Sequence, residues 1–162
     1  MLFRSSFHQL QLATAKRQKF IPFSLQFWQE QFRLFAADNQ VLLYSSYFAD
    51  ELLAQAMIIF YGQEAVYHYG ASRDLARKYP GAAAIQWAAI QEAKRRGMSR
   101  YNFWGVAPVD EPQHRFAKLS TFKRGFGGQD YQYFPAHDLI VDNLRYKINL
   151  LVEISRKKLR RV

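Results

Sequence analysis

The segment "STFKRGFGGQ", residues 120–129, combines side chains that can bind a negatively charged ligand. Lys123 is a compact cation that suits a phosphate or a developing negative charge, which makes it the candidate catalytic residue. The neighbouring Phe122 can stack on a nucleobase, a contact that contributes about 1–3 kcal/mol. Gly125 and Gly127 would permit positive backbone torsions and close approach of a ligand. The residues alone equally allow the glycines to turn the chain while Phe122 fills the core.

Further candidates lie upstream of this segment. Tyr69 ends a predicted strand and can line an acceptor channel, although aromatic residues in strands more often fill the core. Asn102 and Asp110 could approach an amine, but an amide also serves in purely structural hydrogen bonds, and loop carboxylates are usually solvated. His68 has no partner that the sequence identifies, so we interpret it as packing. Arg124, beside the candidate lysine, is interpreted as a solvated cation.

The composition excludes several kinds of chemistry. The chain of 162 residues has 49% hydrophobic residues, too many for a disordered segment. It has no cysteine, which removes disulfides, thiolate zinc sites and cysteine nucleophiles, and its four histidines lack metal-ligand spacing. We therefore expect no metal and no resident cofactor. The net charge of +10 favours polyanionic partners such as nucleic acid, nucleotide phosphates or an anionic membrane.

No segment is long enough to predict a membrane span. The longest apolar run, "LLAQAMIIFY", is about half of what a spanning helix needs. The start of the chain, "MLFRSSFHQL", has neither the apolar core nor the cleavage site of a signal peptide. We expect a cytoplasmic protein, and contact with the inner face of an anionic membrane stays open.

The hydrophobic pattern predicts an α+β domain over residues 1–162. Two helices, separated by Pro22 and a capping Ser24, precede three runs that read as an antiparallel meander, "QVLLYSSYF", "LLAQAMIIFYG" and "AVYHYGAS". A helix from Pro80 to Gly97 then leads to a strand, "RYNFWGV", expected parallel beside "AVYHYGAS". A short helix around "QHRFAKLSTFKRGF", a final strand "QDYQYFP" and a long basic helix follow. This order matches the GNAT acyltransferase fold, a mixed, mostly antiparallel sheet flanked by helices.

Several motifs occur in an order that identifies a family. "YGAS", a proline, "QW" in the helix that follows, "YNFWGV" and "FKRGFGG" resemble the FemABX family of peptidoglycan-bridge aminoacyltransferases. The resemblance extends over nearly the whole chain and is to the family's second GNAT-like domain only. The first domain, which in the family supplies much of the precursor-binding site, is absent from this chain. Either a separate chain supplies this domain or the chain is a remnant of a larger enzyme, and we expect poor transfer by this chain alone.

The resemblance implies a reaction. An aminoacyl group would move from aminoacyl-tRNA, acting as co-substrate, to the stem-peptide amine of a nucleotide-linked or lipid-linked peptidoglycan precursor, in cell-wall biogenesis that maintains cell shape. In the family the Phe-Lys pair, here Phe122 and Lys123, is associated with the aminoacyl-tRNA. The family often has Asp at the position of Asn102. Neither the sequence nor the resemblance supplies a general base.

Two alternatives stay open. The first is a non-catalytic module that binds nucleic acid or a membrane surface through "RYKINLLVEISRKKLRRV", with cations outward and an apolar side buried. That buried side would hold Ile148, Leu151, Val152 and Leu159. The second is a GNAT-type N-acyltransferase with another acyl donor. Coenzyme A is the weaker donor, because "GASRDLARKYPGAAA" lacks the Gln/Arg-x-x-Gly-x-Gly/Ala turn that cradles its pyrophosphate.

Overall fold

The computed structural model describes residues 2–160, with the side chains of residues 5–76 and 78–158. Its elements, in chain order, are helices α1 (Leu2–Gln18) and α2 (Leu25–Ala37), strands β1 (Val41–Phe48), β2 (Glu51–Tyr61) and β3 (Glu64–Ser72), a 3₁₀ helix (Asp74–Arg77), helix α3 (Gly81–Arg95), strand β4 (Arg100–Asn102), and helices α4 (Ala117–Arg124) and α5 (Asn143–Arg160). Contacts divide the chain into two compact units, Met1–Trp104 and Gly105–Val162. A single domain over residues 1–162 stays a prediction.

The first unit contains one four-stranded sheet in the order β1-β2-β3-β4. The first three strands form the expected antiparallel meander, and β4 lies parallel to β3. Helix α3 connects the two parallel strands and packs across the sheet. It ends before Gly97, whose φ of +72° lies in the left-handed region that stops helices. The predicted α+β fold with a mixed sheet is confirmed.

The central strand β2 is buried on both faces, which explains why its sequence is a nearly continuous apolar run. Successive side chains of a strand point to opposite faces. One face packs against α3 in a cluster formed by Ala54, Ala56, Ile58, Phe60, Ala65, Ile85, Ala89 and Ala93. The other face packs with residues of α1 and α2 in a cluster formed by Phe7, Trp28, Val41, Met57 and Ile59. The first unit is therefore a three-layer arrangement of helices, sheet and helix.

Two predicted strands differ from the structure. The final strand "QDYQYFP" was a wrong prediction, because residues 129–135 have no regular secondary structure and Tyr131, Tyr133 and Phe134 are exposed. Alternating aromatic residues favour a strand only where a neighbouring strand and a core face are present. The strand "RYNFWGV" is short and ends at Asn102, because Trp104 turns the backbone to a φ of +66°.

The predicted buried side of the C-terminal helix is also wrong. Ile148, Leu151 and Val152 are exposed on α5. The side chain of Leu159 lies outside the described residues. The helix itself forms as predicted, and the side chain of Asp142 accepts hydrogen bonds from the backbone N–H groups of Leu144 and Arg145 at its start.

An ion-pair network joins the end of α3 to the turn before β1. Glu92 accepts hydrogen bonds from Arg95 and Arg96, each Nε–O distance being 2.7 Å. Arg96 also donates to the carbonyl of Asn39 at 2.6 Å and lies 4.1 Å from the ring centroid of Phe60. The hydrogen bonds from Arg95 and then Arg96 lower the pKa of Glu92 to about 2 from 4.5. The charged form of Glu92 is therefore the one that the fold stabilises.

Because the folded pKa of Glu92 lies below the unfolded value, its contribution is complete above pH 4.5 and is lost as the pH falls towards 2. We expect Glu92→Gln to lower the free energy of unfolding at neutral pH and to flatten its decline in acid. Denaturant unfolding across this pH range measures both effects. Glu30→Gln, which removes the carboxylate of an exposed pair with Arg33, is the control and should change little. Identical acid slopes for wild type and Glu92→Gln would contradict the assignment.

Candidate functional site

The parallel strands β3 and β4 pair over only three residues each. Glu64 to Val66 pair with Arg100 to Asn102, after which β3 continues to Ser72 while β4 ends. Among the described residues, no strand continues this side of β3 beyond Val66. Backbone N–H and C=O groups that lose a strand partner are available to a ligand. Among the described residues, the end of β4 therefore leaves this side of β3 open.

His68 is the extra residue of a β-bulge at this opening. In the β2–β3 register Met57 pairs with Tyr69 and Ile58 pairs with Tyr67, which leaves His68 without an opposite residue. Bulges turn a side chain away from the regular alternation and are common beside active sites. The sequence gives no signal for this one, because the bulged position is not marked by glycine or proline. Sequence reasoning consequently missed His68 as a functional candidate.

The surroundings of His68 suit a neutral imidazole. Its Nε2 lies 3.2 Å from Nε2 of Gln31, and its ring lies 4.0 Å from the ring of Tyr69 and 5.7 Å from the ring of Trp104, measured between centroids. Burial lowers the pKa of His68 below 6.5. At neutral pH the ring is therefore uncharged and can accept a proton.

Tyr69 belongs to an aromatic cluster on the face of the sheet that packs against α1 and α2. The ring of Trp28 meets it edge-on with 4.3 Å between centroids, and the ring of Phe23 lies at 6.3 Å. Burial raises the pKa of Tyr69, so its hydroxyl stays protonated at neutral pH. These contacts give Tyr69 a packing role, and its place in an acceptor channel stays a prediction.

Asn102 fixes the backbone at the end of β4. Its Oδ1 accepts a hydrogen bond from the N–H of Trp104 at 2.7 Å. This bond holds Trp104 at a φ of +66°, a torsion that is uncommon for a large side chain. Asp and Asn both supply this acceptor oxygen. Asn102 therefore has the structural hydrogen-bonding role that was one of its two interpretations from the sequence. Its role towards an attacking amine stays a prediction.

Gly70 makes room for the ring of Tyr67. A Cβ at position 70 would lie 2.6 Å from Cζ of Tyr67 and closer still to its hydroxyl oxygen. Tyr67 is held in place by the core beside α3, and burial raises its pKa to about 12. The glycine of "YGAS" is therefore required by close packing.

We expect Gly70→Ala to destabilise the protein by about 1–3 kcal/mol, because the buried ring must move to admit a methyl group. Thermal or denaturant unfolding measures the change. Gly105→Ala is the matched control, since a Cβ there meets nothing within 4 Å. Tyr67→Leu should reduce the cost of Gly70→Ala, so that the double variant is more stable than the two single changes predict. Additive effects would show that the ring of Tyr67 is not the obstacle.

In the second unit, side chains of α4 form hydrogen bonds with the backbone of residues 105–107. The Nζ of Lys123 donates to the carbonyl of Gly105 at 2.6 Å, and the Nη2 of Arg124 donates to the carbonyl of Ala107 at 2.7 Å. The hydroxyl of Ser120 accepts from the N–H of Ala107, also at 2.7 Å. Three hydrogen bonds from α4 thus hold the backbone of Gly105 and Ala107 in place.

Lys123 is a buried cation that lacks an acidic partner. Its residue is 6% exposed, and in the described part of the chain no salt bridge includes it. Burial lowers the pKa of Lys123 from 10.5. A buried cation compensated only by a carbonyl dipole is costly to maintain and is characteristic of functional sites. Two of its three N–H donors are not used by Gly105 and can serve an anionic ligand.

Arg124 is not the solvated cation that the sequence predicted. Its Nε donates to Oδ2 of Asp130 at 3.0 Å, and its guanidinium also binds the carbonyl of Ala107. The sequence interpretation failed because Asp130 is six residues away across a turn, at a spacing that no helix pattern reveals. Arg124 therefore has a structural role in α4.

The remaining residues of "FKRGFGG" divide between packing and turning. Phe122 is half-buried and meets Phe126 edge-on with 5.3 Å between ring centroids. Gly127 has the predicted positive torsion, with φ at +80°. The same prediction is wrong for Gly125, whose φ of −61° is an ordinary helical value at the end of α4. Whether Phe122, Gly125 and Gly127 contact a ligand stays a prediction.

The other predicted site residue, Asp110, is exposed in the loop before α4, and within the described residues its carboxylate makes no hydrogen bond or ion pair. Of the predicted site residues, Tyr69 and Asn102 lie in the first unit, and the others lie in the second.

No group of three or more His, Asp or Glu side chains suited to a metal ion occurs in the part of the chain that the structure describes. Within residues 2–160, no helix is long and apolar enough to cross a membrane.

Comparison with solved structures reveals the same fold in acetyltransferases. A predicted acetyltransferase from Clostridium acetobutylicum, solved with acetyl-CoA, matches with a TM-score of 0.59 and 14% identity over 86% of this chain and 92% of that chain. The aminoglycoside 6'-N-acetyltransferase AAC(6')-Ig from Acinetobacter haemolyticus matches with a TM-score of 0.56 and 13% identity over 78% of this chain and 88% of that chain. At these identities the likeness shows the GNAT acetyltransferase fold alone.

Comparison of sequences gives a closer relationship. Aminoacyltransferase FemA of Staphylococcus aureus (strain MW2) is 33% identical over 70 residues, which are 43% of this chain and 17% of FemA. FemA of the strain COL matches with the same values. The match thus spans less than a fifth of the length of these relatives. The FemAB family model matches residues 43–153, which include β2, β3, α3, β4 and α4. The chain therefore belongs to the FemAB family.

Proposed function

We propose that this chain is an aminoacyltransferase, or the part of one that binds the aminoacyl donor. It would transfer an aminoacyl group from aminoacyl-tRNA to the stem-peptide amine of a peptidoglycan precursor. The observation that supports this most directly is Lys123, a buried cation in the family segment "FKRGFGG" that has no acidic partner among the described residues. Membership of the FemAB family and the acetyltransferase fold support acyl transfer in general.

The proposed reaction exchanges an ester for an amide. The acceptor amine attacks the ester carbonyl of aminoacyl-tRNA, so that a C–N bond forms and the C–O bond to the ribose breaks. The amine gives up a proton, and the departing ribose oxygen takes one, which leaves no net change in protons. The barrier is lowered by orientation of the two substrates, removal of the amine proton and stabilisation of the tetrahedral oxyanion.

Lys123 supplies positive charge in this scheme. Its two free N–H donors can bind the terminal phosphates of the tRNA or the oxyanion that develops on the carbonyl. The ring of Phe122, half-buried on the same helix, offers a face for the terminal adenine. The hydrogen bonds from α4 to residues 105–107 keep this segment fixed while the ligand binds.

Independently of Lys123, which lies in the second unit, His68 of the first unit is our candidate for the base that neither the sequence nor the family resemblance supplies. It is neutral at pH 7, because burial lowers its pKa, and its bulged position turns it out of the strand alternation. A neutral imidazole can take the proton of the amine nitrogen, which becomes positively charged as it attacks the ester carbonyl, and can return this proton to the leaving ribose oxygen. The amide Nε2 of Gln31 donates to Nε2 of His68 and orients the ring, so this hydrogen bond must be released before Nε2 can take a proton.

Single-turnover transfer tests the proposal. The chain is mixed with aminoacyl-tRNA carrying a labelled amino acid and with either nucleotide-linked or lipid-linked precursor, and formation of the labelled amide is followed. Binding of the same tRNA is measured in parallel, so that a chain that binds the donor but transfers slowly is distinguished from one that does not bind it. Acetyl transfer from acetyl-CoA without tRNA would instead support an N-acyltransferase with another donor. Absence of both tRNA binding and aminoacyl transfer would refute the proposal.

A further inference from the structure

Helix α5 presents an apolar stripe to solvent. Leu144, Ile148, Leu151 and Val152 recur at spacings of four, three and one residues, which places them on one face of a helix. These side chains are between 42% and 70% exposed. A stripe of this kind normally packs against another surface, so its exposure calls for an explanation.

The charges of α5 are arranged around this stripe. At about 100° per residue, Arg145 and Arg156 lie along one border of the stripe, and Lys147 and Lys158 lie along the other. Glu153, the only acidic residue of the helix, lies on the opposite side. Long cationic side chains at both borders can keep their charges in the polar layer while their stems follow the apolar face. This is the arrangement of a helix that lies in the interface of a membrane.

The segment before α5 also exposes apolar side chains. Tyr131, Tyr133 and Phe134 are exposed, as are Leu139 and Val141. Tyrosine is a favoured residue at the level of lipid headgroups, because its ring is apolar and its hydroxyl is polar. Exposed aromatic and aliphatic side chains therefore continue for ten residues and more before the helix begins.

We propose that α5 binds the surface of an anionic phospholipid membrane, lying in the plane of the interface with its apolar stripe in the acyl region. This inference goes beyond the transfer reaction and is independent of it. An RNA would use the cations but would leave the aliphatic stripe in water. A second copy of the chain would bring the same cations against each other along both borders, whereas paired helices need opposite charges there. An anionic apolar interface satisfies the stripe and its borders together.

Vesicle sedimentation with the full chain tests the inference. We expect the chain to bind phosphatidylcholine vesicles containing phosphatidylglycerol and to bind pure phosphatidylcholine vesicles far more weakly, by about fivefold for each cation at the surface. Raising the salt to about 1 M, where the Debye length is about 3 Å, should weaken binding to the anionic vesicles.

Two adjacent leucines give a matched pair of variants. Leu151→Asp places a charge in the stripe and should reduce binding at least about tenfold, since one buried leucine is worth that much in water-to-apolar transfer. Leu150→Asp introduces the same charge on the far side of the helix and should bind within about twofold of wild type. Lys147→Glu combined with Lys158→Glu alters only exposed cations and should also abolish the preference for anionic vesicles. Circular dichroism and thermal melting establish that each variant is folded.

Several results would overturn the inference. Failure of the folded wild-type chain to sediment with anionic vesicles would do so directly. Equal loss for Leu151→Asp and Leu150→Asp would show that the stripe is not the contact. The helix would be assigned to nucleic-acid binding if the chain does not bind vesicles but binds RNA, and if RNA binding depends on the cations of α5 and is unaffected by Leu151→Asp.

Discussion

His68→Gln should lower the single-turnover rate of aminoacyl transfer by about 100-fold, the lower range for loss of a general base. The wild-type rate should fall as the pH falls through the lowered pKa of His68, below 6.5, because only the neutral ring accepts a proton. The variant should lose this acidic limb and should retain its affinity for aminoacyl-tRNA. A pH–rate profile of both proteins measures the two effects together.

The control for this change is His137→Gln, which alters an exposed histidine in the second unit. It should leave the rate and the pH profile unchanged. Since burial disfavours protonated His68, the fold also loses stability as the pH falls below 6.5, and the profile must stay within the range where melting shows a folded protein. If His68→Gln slows transfer but keeps the wild-type acidic limb, His68 positions the site and another group is the base.

Lys123→Met should lower transfer about 10-fold to 100-fold, because it removes charge-assisted contacts worth about 1.5–3 kcal/mol while keeping a long side chain. Loss of tRNA affinity should accompany the loss of rate if Lys123 binds phosphate, whereas a fall in rate alone indicates the oxyanion. Burial lowers the pKa of Lys123, so the wild-type cation is lost as the pH rises, earlier than for an exposed lysine. Lys123→Arg, which stays charged, should not show this alkaline decline.

Lys118→Met is the control for charge, because Lys118 is an exposed cation on the same helix. Arg124→Ala is unsuitable, since it would break the pair with Asp130 and the bond to Ala107. Thermal melting separates a catalytic loss from unfolding. Similar small losses for the substitutions at positions 118 and 123 would mean that overall charge alone matters, and the assignment of Lys123 would be withdrawn.

The parts of the fold that the sequence predicts are those where local pattern and burial agree. The uninterrupted apolar run of β2 reflects burial on both faces, and the helix from Pro80 to Gly97 has a stop signal that the torsion of Gly97 confirms. The parallel placement of β4 beside β3 follows from the helix between them, because a strand–helix–strand unit joins parallel neighbours. These features depend on residues close together in the chain.

The parts that the sequence could not predict depend on contacts between distant residues. The segment "QDYQYFP" alternates like a strand, but no strand pairs with it among the described residues. The bulge at His68 comes from the register between β2 and β3, and the sequence of either strand alone does not predict this register. Of the candidate site, the sequence identified Lys123 as a cation of interest but gave no sign of its burial or of its bond to Gly105.

The short pairing of β4 has a consequence for the order in which the molecule assembles. The hairpins β1–β2 and β2–β3 join neighbouring segments, so they close short loops at a small cost in chain entropy. Glu64 pairs with Arg100 only after α3 has formed between them, which closes a long loop. Only three residue pairs of the β3–β4 ladder offset the chain entropy lost in closing this loop. We therefore expect the β3–β4 junction to form late in folding and to open first in the native state. The edge that carries Trp104 against His68 would then be the least cooperative part of the sheet, where a bulky substrate could enter without disturbing the core.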